Sequence, residues 1–301
     1  MGGAVEQREP IVQSLKTASF YERNRKYLSR GLWHLLAIIL VVLVLLPIYW
    51  MIAVSLKEPA TVSRYPVEFW PAKPLWANYL EVWRRANVPR YMFNSVYLST
   101  VYTILCVWFS ALAGYGFSRF RVGIKKPLFT IVMATMIMPP MIFTIPHFLM
   151  FYKLKLLNSY WPWVFYGLAG SSFHIFLFRQ FFSSIPLELE DAAALDGCSP
   201  FGTFLRIIVP NSQTAFAAGA IFAFQWTWSD YLLPRLFLQE AKFTMSVALS
   251  IGLHPPFRPD YAKDFPVELA GAVYYVLPLA LIFFLAQKFI IKGVITTGLK
   301  G

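Results

Sequence analysis

Glu188, Glu190, Asp191 and Asp196 crowd the stretch ELEDAAALDGCSPFGTFLRIIVP, Glu188 to Pro210, in a chain that is otherwise basic and apolar. Carboxylates close together can handle protons or present charge to a partner. Nothing around them forms a reaction centre. The sequence holds no GxxxxGK[ST], no G-x-S-x-G, no H-E-x-x-H and no paired-carboxylate catalytic arrangement. His34, His147, His174 and His254 are far apart. Cys106 lies inside an apolar segment and Cys198 inside the polar stretch, which predicts neither a disulfide nor a metal site. The sequence therefore predicts no catalytic residue, no metal and no cofactor on this chain. A second polar group, Gln225, Trp226, Trp228, Ser229 and Asp230, sits inside an apolar run. Polar groups within a span are expensive and usually face a cavity or the bundle interior. Tryptophan rings also suit the C–H faces of sugars. That reading places the cluster along a translocation path. The other reading is an outer-interface aromatic belt, since Asp230 nears the end of its run. Both stay open at the level of sequence.

The elements that carry these groups are apolar. Of 301 residues, 57% are hydrophobic and only 14% charged, where soluble domains average about a quarter charged. Six runs approach the roughly 20 residues that a spanning helix needs. They cover about Leu32 to Leu56, Met92 to Phe117, Leu128 to Phe151, Tyr160 to Phe182, Thr214 to Phe237 and Leu269 to Ile291. The predicted class is an all-α polytopic membrane protein with six transmembrane helices. Pro139, Pro140 and Pro146 predict a kink in the third run. Gly167, Gly170, Ser171 and Ser172 in the fourth favour close helix packing over substrate contact.

The net charge of +12 suggests nucleic acid only superficially. The basic residues flank apolar segments and form no long run, so no nucleic-acid partner is expected. A tail, residues 1–31, precedes the first span and carries Arg8, Lys16, Arg23, Arg25, Lys26 and Arg30. Its part from Ile11 to Leu28 reads either as an amphipathic surface helix or as an extended segment. The first run is too long for the h-region of a signal peptide, and this long basic tail precedes it. Together with Arg119, Arg121, Lys125 and Lys126 the tail favours a cytoplasmic N-terminus. Six spans then bring the C-terminus and the acidic insert to the cytoplasm. The outer loop carries Lys57, Arg64, Lys73, Arg84, Arg85 and Arg90 against Glu58, Glu68 and Glu81, with Arg258 and Lys263 further on. Such a face attracts an acidic partner or saccharide, or is simply a solvated loop.

The insert reads as two helices. Pro186 breaks the fourth run, and Glu188, Glu190 and Asp191 fall in the first turns of a helix, where its dipole favours acids. Leu189, Ala192, Ala193 and Leu195 give a shallow apolar face. Gly197 ends the helix, and Ser199 with Pro200 opens a second one that reaches Pro210. Acids are unfavourable beside anionic headgroups, so docking to a protein is preferred over resting on lipid.

This pattern resembles the E-A-A, three residues, G, then I-x-L-P loop of importer-type ABC permeases. Asp191, Ala192, Ala193 and Gly197 match the first part, and Ile207, Val209 and Pro210 the second. Asp191 stands for Glu and Val209 for Leu. Further stretches are similar to the MalG-type carbohydrate-uptake permeases. They include NYLEVW (78–83), NSVYLST (94–100), AGYGFSRFR (113–121), MPPMIFTIPHF (138–148), LLNSYW (156–161), FRQFFSSIPLELEDAA (178–193), WTWSDYLLP (226–234) and GLKG (298–301).

The resemblance implies a six-helix type I importer domain over 32–301 with its coupling loop at 183–212. Glu190, Asp191, Ala192, Ala193, Asp196, Gly197, Ile207 and Pro210 would seat that loop on an ATPase. It implies a second permease, two ATP-binding subunits that hold ATP and Mg, an extracytoplasmic binding protein and a bacterial inner membrane. A sugar or oligosaccharide, neutral or acidic, would be the cargo. The competing readings are a secondary transporter and a membrane scaffold. The former usually buries ionisable groups mid-span, and the first three runs hold none.

Overall fold

The computed structural model describes residues 8–85, 87–251 and 261–298. Among them every regular element is helical. The first helix, α1 (Arg8–Ser55), is continuous, so the tail is helical from Arg8 onward and residue 31 marks no break. The side chains before Gly31 lie outside the described residues, as do those of Arg85, Arg258 and Lys263 and everything at 252–260, His254 included. Lys300 and most of the terminal GLKG lie outside them too.

A short α2 (Ala77–Arg85) leads into the central helix, α3 (Val88–Arg119). Around α3 pack α6 (Trp161–Ala169), α7 (Ser172–Ser183) and α11 (Gln213–Ser229). The last helix, α14 (Tyr261–Gly298), rests on α1 and α11. Between them run α4 (Lys125–Ile137), α5 (Thr144–Lys153), α12 (Leu232–Phe237) and α13 (Met245–Ser250).

The six expected spans are only partly matched. Three helical stretches are long and apolar enough to cross a bilayer: Gly31–Ser55, Val88–Arg119 and Phe265–Gln287. Two bent pairs raise the number to five if each counts as one span. The first pair is Lys125–Ile137 with Pro140–Lys153, turned through 96°. The expected kink in the third run is thus a right-angle break. Met138 and Pro139 each precede a proline, which disfavours the helical region, and both are extended (ψ 130° and 125°). Pro146 sits harmlessly in the first turn of α5.

The fourth run divides into α6 and α7, 9 and 12 residues long, so neither half alone has spanning length. Gly170 at φ 71° and extended Ser171 make the break. The expected close packing is present. A Cβ at Gly167 would lie 2.7 Å from Leu105 Cβ, and one at Gly170 2.9 Å from Ser110 Oγ, both on α3.

Buried side chains gather in clusters along α3. Beneath the acidic insert, Val107, Ala111, Phe178, Phe182, Phe204 and Ile208 form one cluster. Leu98, Phe151, Trp163, Phe237 and Val247 form another at the opposite end of α3.

The loop after α1 corrects one expectation. Lys57 is no surface charge. It is fully buried, donates from Nζ to the Glu68 carbonyl (2.6 Å) and lies 4.8 Å from the centre of the Trp50 ring. Its carbonyl accepts from Asn78 Nδ2 at 3.0 Å. Lys57 ties the loop to the end of α1, whereas Arg64, Lys73, Arg84 and Arg90 are exposed.

Candidate functional site

The first insert helix is α8 (Glu188–Leu195), with Glu188, Glu190 and Asp191 in its first turn. Its end follows from Gly197. The Gly197 amide donates to Ala194 O (3.0 Å) and the Cys198 amide to Ala193 O (2.9 Å). This double closure needs a left-handed residue, and Gly197 has φ 78°. Ser199 then caps α9 (Pro200–Thr203), its Oγ accepting from the Gly202 amide at 3.2 Å. The chain widens into a π turn over Phe204–Ile208 and closes with α10 (Val209–Asn211). Pro210 has no amide hydrogen to continue a regular ladder. At Ser212 the path turns 83° into α11.

Two faces of α8 have separate tasks. Glu188, Asp191, Ala192, Leu195 and Asp196 are exposed and recur at helical spacing, so they form one outward stripe. Leu195 is 90% exposed. Glu190 and Ala193 point inward. Ala193 is 7% exposed and packs against its own chain.

Glu190 is clamped. One carboxylate oxygen pairs with Arg119 Nε at the end of α3, and the other accepts from Tyr115 OH at 3.1 Å. Arg119 Nη2 also donates to Ile185 O (2.9 Å), just before the insert. Glu190 and Ala193, expected to meet a partner, face the rest of this chain. Asp191 and Ala192 keep the outward position.

The second half of the insert is anchored by Phe204 and Ile208, both without exposed surface. Phe204 packs 5.2 Å from the Tyr115 ring. Ile207 is half-buried and Pro210 exposed. Sequence reasoning missed Tyr115, Arg119, Phe204 and Ile208. The i, i+4 spacing of Phe204 and Ile208, and of Tyr115 and Arg119, was the available signal.

The α11 cluster also divides. Trp228 is 1% exposed, stacks 5.6 Å from Tyr275 of α14, and donates from Nε1 to Tyr275 O (3.2 Å). Tyr275 OH returns the bond to Trp228 O (3.3 Å). Asp230 Oδ1 accepts from the amides of Leu232 and Leu233, which starts α12 after the break. Trp228 and Asp230 are thus engaged by contacts within the chain. Gln225, Trp226 and Ser229 remain exposed on one side of α11. Among the described residues no group of three His, Cys, Asp or Glu side chains comes together as a metal site would require.

Residues 106–296 match the model of the binding-protein-dependent transport system inner membrane component. The chain belongs to this family. The arabinooligosaccharides transport system permease protein AraQ of Bacillus subtilis (strain 168) is 30% identical over 263 residues, 86% of this chain and 92% of that protein. The lactose transport system permease protein LacG of Rhizobium radiobacter is 30% identical over 249 residues, 83% and 89% of the two chains. A crystal structure of a bacterial ABC transporter involved in the import of the acidic polysaccharide alginate is similar in fold. Its TM-score is 0.74 at 20% identity, over 85% of this chain and 94% of that one. The chain is therefore a multi-pass inner-membrane permease component of a binding-protein-dependent importer, not an enzyme and not a scaffold.

Proposed function

We propose that this permease moves a sugar or oligosaccharide, and that its insert is the coupling helix through which the ATPases drive it. The outward stripe of α8 carries the reading. Asp191 and Asp196 offer negative charge, Ala192 lets a partner approach, and Leu195 offers an apolar contact at 90% exposure. An acidic rim around the exposed Leu195 suits a basic cleft on a protein better than an anionic lipid surface. The complete assembly has a second permease, two ATPase subunits that hold ATP and Mg, and the binding protein. Both termini and the insert are cytoplasmic. The exposed Arg64, Lys73, Arg84 and Arg90 favour an acidic cargo or an acidic binding protein on the outer side.

The test is uptake by the reconstituted complex against lactose, an arabinooligosaccharide and an alginate oligosaccharide, each with its loaded binding protein. ATP-dependent uptake of at least one saccharide is expected. ATP-dependent uptake of none, by a complex that still hydrolyses ATP, would refute the carbohydrate reading. Asp191→Arg should release the ATPases from detergent-solubilised complex while the permease pair stays together.

A further inference from the structure

The loop after α1 is closed at its mouth. The Leu75 amide donates to Leu56 O at 2.8 Å, so the two ends of the loop meet where α1 stops. Asn78 Nδ2 donates to Ser55 O at 2.8 Å and seals the junction. The middle of the loop then comes back along α1. Tyr49 OH donates to Phe69 O at 3.0 Å, and one residue earlier the Lys57 ammonium holds Glu68 O. Trp70 stacks on the Tyr49 ring at 6.2 Å, and Phe69 meets the Trp50 ring edge-on at 6.3 Å. Tyr49 precedes Ser55, the end of α1, by six residues, about 9 Å along the axis. Side chains on a helix lean toward its N-terminus, so the Tyr49 ring lies no nearer that end than its own Cα. Phe69 and Trp70 therefore sit about 9 Å below the place where α1 stops.

That depth is the edge of the hydrocarbon. Every residue from Gly31 to Tyr49 is exposed in this chain, and the span they begin has a mean hydropathy of 3.0. A helix that is apolar all round belongs in a bilayer over that length. Trp33 and Trp50 are separated by about 25 Å along it, close to the roughly 30 Å of a hydrocarbon core. Tryptophans at that separation mark the two interfaces. Phe69 and Trp70 lie level with the second one and are 71% and 49% exposed. Arg64 and Lys73, on either side of them in the loop, are exposed as well. Aromatic rings among basic residues suit the boundary between acyl chains and phosphates. A soluble protein seated on the end of α1 would stop above this level.

We infer that residues 64–73 form a hook laid into the lipid headgroup layer, with the Phe69 and Trp70 rings at the acyl boundary and Arg64 and Lys73 against phospholipid phosphates. The hook fixes the height of α1 in the bilayer and does not depend on the cargo. Arg64 and Lys73 then face phosphates, which leaves Arg84 and Arg90 for an acidic cargo or binding protein.

The experiment uses the reconstituted complex in phospholipid nanodiscs, with partner subunits free of cysteine and this chain carrying Cys106→Ala and Cys198→Ser. A nitroxide is attached at Phe69→Cys, which keeps the backbone bond from Tyr49. Val44→Cys on the exposed part of α1 and Glu58→Cys just beyond its end serve as references. Collisions with oxygen, which favours hydrocarbon, and with a water-soluble nickel chelate report the depth. The oxygen-to-nickel ratio at 69 should exceed that at 58 about threefold or more and stay below that at 44, with or without loaded binding protein. With the label at 69, Trp70→Ser should bring the ratio down toward the value at 58, while Trp70→Phe keeps it. A ratio at 69 equal to that at 58 would overturn the inference, and protection of that label by binding protein would make the loop a docking site for a soluble partner instead. A label that neither oxygen nor nickel reaches would mean that the sister permease covers the hook, and would overturn it as well. So would an unchanged ratio in Trp70→Ser, because lipid would then not be what holds the rings down.

Discussion

Glu190→Gln should unseat the insert without disturbing the spans. The substitution keeps the shape of the side chain and removes its charge. Glu190 and Arg119 are 12% and 9% exposed, so water screens their pairing little. Removing one partner of a buried pair costs about 3–5 kcal/mol, and the lower end applies at a site with some exposure. The substituted amide can still accept from Tyr115, and Arg119 keeps its bond to Ile185 O. A net loss of about 3 kcal/mol is therefore the reasonable figure, equal to roughly a 100-fold shift toward an undocked insert. Amide hydrogen exchange reads this directly, because local opening sets the protection of each segment. Amides of residues 188–211 should exchange on the order of 100-fold faster, while those in the middle of α3 should keep their rates. Uptake per ATP hydrolysed should fall with it. Exchange within about threefold of wild type over 188–211 would refute the argument that the Arg119–Glu190 pair holds the insert in place.

Gly197→Ala should loosen the end of α8 by about 1–2 kcal/mol, because nothing lies within 4 Å of a Cβ there and the penalty is that of the left-handed backbone alone. Gly197→Asn should lose less, and thermal unfolding of the purified permease distinguishes the two. Native Cys198 is partly exposed whereas Cys106 is buried, so wild type should be labelled by an impermeant thiol reagent from the cytoplasmic side only. A cysteine at Lys73 should be labelled from outside, and the reverse result would invert the topology. Lys57→Met should remove both the Glu68 bond and the Trp50 contact, and proteolysis of residues 58–76 should become several-fold faster with α1 intact.

Much of the insert was legible because its signals are local. The acids at a helix start, the glycine stop and the Ser199–Pro200 start each follow from backbone chemistry within four residues. The break in the third run was legible as a position but not as an angle. Two successive pre-proline residues disfavour helix, yet the 96° turn depends on what α5 packs against. Roles that need partners from far along the chain could not be read. Glu190 meets Arg119 across 71 positions, and Trp228 meets Tyr275 across 47. A carboxylate beside Asp191 and a tryptophan beside Asp230 look the same in sequence whether they face inward or outward. Lys57 misled for the same reason, since charge count carries no information on burial.

The paired bonds between Trp228 and Tyr275 also limit how the permease can move. Each side chain grips the other helix's backbone, so sliding α11 along α14 by a single residue would break both contacts at once. These two helices behave as one lever. When the acidic insert shifts, the lever can tilt but not ratchet. The compliance must then sit at the Ser212 elbow and along the thin contact between α4 and α7.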